Sequence, residues 1–115
     1  MNQDVQDQVN KLQMLEQSIS SFSSQRQHMQ SQLIEMNSAL EHIEGKDKAF
    51  RIIGNLMVEQ DASEIRKDIS DRKESISVRI ASLEKQEQTL KKQAQSIQES
   101  IMQSMKHEHN PEESN

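Results

Sequence analysis

Seven methionines, four histidines and no cysteine are the side chains of this 115-residue chain with the most distinctive chemistry. His107, Glu108 and His109 form the densest cluster of metal-ligating types. Residues two apart on a helix point to different sides, so the trio does not converge on an ion. His28 and His42 lie too far apart in one helical stretch to share a ligand and read as solvated surface. The absence of cysteine removes a thiolate nucleophile, a disulfide framework and a Cys-based zinc site together. Serine is abundant, yet no G-x-S-x-G, paired base or glycine-rich phosphate loop accompanies it. The expectation is a protein that is not an enzyme and carries no cofactor and no metal.

Methionine is the more informative type, because its flexible, polarisable thioether adapts to many apolar surfaces. Met29 and Met36 fit as fillers of irregular gaps between helices. Met1, Met14, Met102 and Met105 fall near the two ends of the chain, and what they can do depends on the elements that place them.

Those elements are constrained by composition. Hydrophobic residues make up 31% of the chain and aromatics 2%, too little for an ordinary compact core. Two glycines and one proline, Pro111, argue against both a flexible linker and a turn-rich all-β domain, which leaves long helices. No stretch reaches the roughly 18 apolar residues of a membrane span, and the start MNQDVQDQVNKLQ has neither a basic region nor an apolar one. Neither export nor membrane insertion is expected, and a cytoplasmic location fits the lack of cysteine. A net charge of −5 repels phosphate backbones, which makes nucleic acid an improbable partner.

Leu15, Ile19, Phe22, Arg26, Met29, Leu33, Met36, Leu40 and Ile43 alternate in steps of four and three, the signature of a heptad seam. Val5, Val9 and Leu12 continue it toward the N-terminus, with one extra step of three between Leu12 and Leu15 that overwinds a coiled coil locally. Gly45 stands where a left-handed cap suits glycine, so the first helix is predicted over 4–44. A second seam row holds Ile69, Ile76, Leu83, Leu90 and Ile97. The row beside it is mixed, Lys73 and Glu87 interrupting Ile80, Ala94 and Ile101. Asp61 and Glu64 have the spacing of a capping box, and the second helix is predicted over 62–106, followed by a disordered tail over 107–115.

Between the helices, AFRIIGNLMVEQ over 49–60 has a different character. Its β-prone residues flank Gly54-Asn55, an acceptable two-residue turn, so the segment reads as a β-hairpin rather than as a helix running through a weak glycine. An isolated hairpin is marginal in water, and this one carries apolar side chains on both faces. It needs further strands, most simply from other chains. The fold class is therefore mainly α, a long antiparallel two-helix coiled coil joined by one hairpin, in a single domain with both termini at the far end. Opposite charge favours that pairing modestly: residues 1–45 hold six acidic and two basic groups, residues 62–106 seven and nine. At the far end Ile101, Met102 and Met105 crowd together where the partner helix runs out, which leaves apolar, methionine-containing surface suited to promiscuous binding.

Helix, a hairpin with AFRIIGNLMVEQD, then a helix with RKDISDRKESISVRIASLEKQEQTLKKQ: this order resembles the beta class of prefoldin subunits, most of all the archaeal form. The similarity covers nearly the whole chain and is strongest from Phe50 to Gln93. A single hairpin marks the beta class, since alpha-class subunits carry two. The resemblance implies a hexamer of two alpha-class and four beta-class subunits, with the hairpins joined into a double β-barrel platform from which the coiled coils hang. It implies ATP-independent capture of unfolded polypeptides at the tips and delivery to a group II chaperonin. Phe50, Ile52, Ile53, Leu56, Met57 and Val58 are then the assembly residues, and Val5, Val9, Leu12, Leu15, Ile97, Ile101, Met102 and Met105 the client-binding ones. The Ser- and Gln-rich, lysine-poor first helix departs from the commonest archaeal pattern. The competing class is a structural or tethering coiled coil without client binding, which gives no reason to keep FRIIGNLMV exposed.

Overall fold

The computed structural model describes residues 3–108, with side chains placed through residue 106. Four elements follow one another: α1 (Gln3–Ile43), β1 (Lys48–Ile53), β2 (Leu56–Asp61) and α2 (Ala62–Glu108). The boundaries lie within a residue or so of those read from the sequence, except that α2 runs two residues past Lys106. No glycine or proline stands between Lys106 and Pro111 to stop it. The rest of the tail, 109–115, lies outside the described residues.

Residues 26–82 form one compact unit, made of the second half of α1, the hairpin and the first part of α2. Gly45, with a φ of 75°, takes the left-handed position just beyond α1, and the Lys46 amide returns to the Ile43 carbonyl at 3.1 Å. Arg66 of α2 reaches the same carbonyl with Nη1 at 3.0 Å, satisfying an acceptor the helix end would otherwise leave open. At the start of α2 the Ala62 amide donates to the Asp47 carbonyl at 2.9 Å, which closes the hairpin's base. Met36 borders Arg72 and Ile76. Residue numbers fall along α1 as they rise along α2, so the helices of this unit are antiparallel.

The other compact unit comprises, among the described residues, 3–25 and 83–108. Here Gln8 Nε2 donates to Ser100 Oγ at 2.8 Å, tying the start of α1 to the last turns of α2. Val5, Leu83 and Ala94 are buried, and Leu12, Leu15, Ile19, Phe22, Leu90, Ile97 and Ile101 are half-buried. These are the heptad positions. The mixed row of α2 keeps its phase through its polar members, because Glu87 is buried at the seam with its carboxylate 4.0 Å from Lys91 Nζ, one turn on. A two-helix seam covers one stripe of each helix and no more, which is why so little of this chain is fully enclosed.

Candidate functional site

The hairpin is built around Gly54. Its φ is 59°, and among the described residues none other than glycine has a positive φ, so only the first central position of the turn is left-handed. That is the type II′ arrangement, whose twist matches the flanking strands. The turn sets the register: Ile53 opposes Leu56, Ile52 Met57, Arg51 Val58, Phe50 Glu59, Ala49 Gln60 and Lys48 Asp61.

Alternation then sorts the side chains onto two faces. Phe50, Ile52 and Met57 share one face with Lys48, Glu59 and Asp61, and every one of these six is exposed, Phe50 at 66% and Ile52 at 71%. On the other face Ala49, Arg51, Val58 and Gln60 are half-covered, while Ile53 and Leu56 stand open toward the turn. All six side chains expected to mediate assembly therefore lie within one two-stranded element, and only Val58 is half-buried by its own chain. Large apolar side chains concentrated on an open sheet mark a surface made to be covered.

Charge fixes the element at its base. Arg51 Nη2 donates to Asp68 Oδ2, and Arg72 Nη2 lies 3.6 Å from the same oxygen, which links β1 to the second and third turns of α2. Lys48 pairs with Asp61 across the strands, and that hydrogen bond raises the Lys48 pKa above its ordinary 10.5. A raised lysine value means that the tie contributes fully at neutral pH and is lost only as pH climbs through the shifted value, in strong alkali. No periodicity or local spacing signals the Arg51–Asp68 link, whose partners stand in different elements.

Exposed ion pairs contribute little to global stability, so Asp68→Asn is expected to lower the unfolding free energy by about 1 kcal/mol or less. Its effect should concentrate in the hairpin. Hydrogen exchange in Lys48–Asp61 is expected to accelerate while the middle of α2 keeps its protection. Unchanged exchange in the hairpin would show that Asp68 does not orient it.

A second apolar site lies within residues 3–25 and 83–108, the unit that holds all eight expected client-binding residues. They are not equally open. Val5 is wholly buried, and Val9, Leu12, Leu15, Ile97 and Ile101 are half-buried in the seam. Met102, 70% exposed, and Met105, 40% exposed, border a shallow depression of about 460 Å³ with Glu99, Gln103 and Lys106. Met14 of α1 is also open, at 69%. Among the described residues no group of histidines and carboxylates is placed to hold a metal ion; the His107 and Glu108 side chains and His109 fall outside them. No described helix is long and apolar enough to cross a membrane.

Two long helices with one antiparallel hairpin between them make up the described fold. The prefoldin subunit family matches residues 6–108, almost the entire chain. The chain belongs to the prefoldin subunit family. A crystal structure of the prefoldin beta subunit from Thermococcus strain KS-1 has the same fold, with a TM-score of 0.83 at 24% identity, over 90% of this chain and 93% of that one. No curated protein matched. This prefoldin subunit presents apolar surface on its hairpin and at Met102 and Met105, while single side chains such as Ile34 and Val78 stand open along the helices.

Proposed function

We propose that this chain is a beta-class subunit of a prefoldin chaperone in the cytoplasm, assembled through its hairpin into a hexamer of two alpha-class and four beta-class subunits. It captures unfolded polypeptides at the helix ends without ATP and passes them to a group II chaperonin. The observation that carries this reading is the hairpin itself, in which five large apolar side chains, Phe50, Ile52, Ile53, Leu56 and Met57, stand exposed. Such a surface is stable in water only when strands of other subunits cover it.

Capture follows from weak contacts acting together. Burying about 100 Å² of a client at one tip is worth roughly 2.5 kcal/mol before ordering costs. That is too little to hold a chain alone, yet several tips on one particle give useful avidity while each contact releases easily.

Mass determination in solution, with and without an alpha-class prefoldin subunit, tests the assembly. A particle of two alpha and four beta chains is expected when both are present. A dimer of this chain that ignores the alpha-class partner would overturn the reading in favour of a structural or tethering coiled coil.

A further inference from the structure

We infer that Met102 and Met105 are sites of reversible sulfoxidation by hydrogen peroxide, and that their oxidation releases a bound client. The release rests on the tip-capture reading given above; the modification site rests on the structure alone. Met102 follows the seam residue Ile101 and so turns away from the partner helix, and with Met105 it supplies the sulfur of the depression at this end of α2. Met29 and Met36, by contrast, are half-buried seam residues. The chain contains no cysteine, so no thiol of its own competes for the oxidant, and thioethers are its only sulfur targets.

In the reaction a sulfur lone pair attacks one peroxide oxygen, the O–O bond breaks and an S–O bond forms. The departing hydroxide takes up the remaining proton and leaves as water. Sulfur loses two electrons and peroxide gains them. The product is a polar, chiral sulfoxide in place of a flexible apolar group, and the depression loses the two side chains best suited to contact a non-native chain. Because capture is the sum of several weak tips, a small loss at each multiplies through the particle.

The test uses the full-length chain in complex with its alpha-class partner, exposed to graded hydrogen peroxide. Peptide mass mapping is expected to find sulfoxide at Met102 and Met105 several-fold sooner than at Met29 and Met36. Protection of a chemically unfolded test protein from aggregation should weaken by about tenfold at unchanged particle mass, and recover after treatment with methionine sulfoxide reductases for both epimers. The variant Met102→Leu with Met105→Leu, measured against its own untreated protection, should lose none of it on exposure to peroxide, whereas Met14→Leu should lose protection as the unsubstituted chain does. Equal oxidation rates at all four mapped methionines would overturn the site. Peroxide sensitivity persisting in the double leucine variant, or loss of protection accompanied by loss of particle mass through Met57 of the hairpin, would overturn the release step. Failure of the untreated complex to protect would instead sink tip capture, and the release step with it, while the mapping would still decide the modification site.

Discussion

Placing one aspartate on each face of the hairpin, Ile52→Asp with Leu56→Asp, is expected to abolish assembly and leave a folded helical subunit. Both side chains are about 70% exposed in the single chain, so the charges cost the isolated subunit almost nothing. They also lie on opposite faces and do not oppose each other in the register, which avoids like-charge repulsion across the strands. In a complex the same carboxylates would be buried without partners, at a cost of about 3–5 kcal/mol each. Repeated over every beta-class copy, that exceeds what a shared sheet can return. Sedimentation or light scattering with the alpha-class partner should find only free subunits, and circular dichroism should find unchanged helix content. A hexamer that forms normally would show that residues 48–61 are not the assembly element.

Much of this architecture is legible in residue types because its determinants are local. Gly45 and Gly54 are the only glycines, and each occupies a left-handed position that other residues adopt at a cost, so the helix end and the turn could be placed from sequence. Heptad spacing likewise marks the seam, since the rows of Ile69 and Ile80 fix which stripe of α2 faces its partner. Even Glu87 obeys the phase against its chemistry, for a single carboxylate beside Lys91 cannot shift a register set by the apolar residues around it.

The candidate sites were legible unevenly. In the hairpin the large apolar residues other than Val58 are exposed, and residue type alone located that open surface. At the helix ends type was insufficient, because Val5 and Met102 are both apolar while one is sealed in the seam and the other open. Their phase separates them: Val5 belongs to the four-three alternation, and Met102 falls one step outside it. Under the proposed tip capture, a client would meet Met102 and Met105 directly, and would reach Val5, Val9, Leu12, Leu15, Ile97 or Ile101 only where the helices part locally. The Arg51–Asp68–Arg72 cluster could not be read at all, because it depends on how the hairpin leans on α2, which no periodicity encodes.

The tip itself carries the second large expected effect. Removing residues 1–10 and 102–115 deletes Met102, Met105 and the first turns of α1, and leaves the hairpin, Gly45, Arg66 and most of the seam in place. The shortened subunit should still enter the hexamer, since no side chain of the assembly face is touched. Suppression of aggregation should fall sharply, because losing even about 2.5 kcal/mol at each tip weakens a multivalent hold many-fold.

The aggregation of a chemically unfolded test protein, followed by light scattering with equal amounts of full-length and shortened hexamer, is therefore the most direct measurement of client capture at the tips. Full-length hexamer should protect equally with and without ATP, since the chain contains no phosphate-binding loop, and shortened hexamer of unchanged mass should protect far less. Equal protection by the two would contradict capture at the tips and move the client to the inner faces of the helices or to the platform.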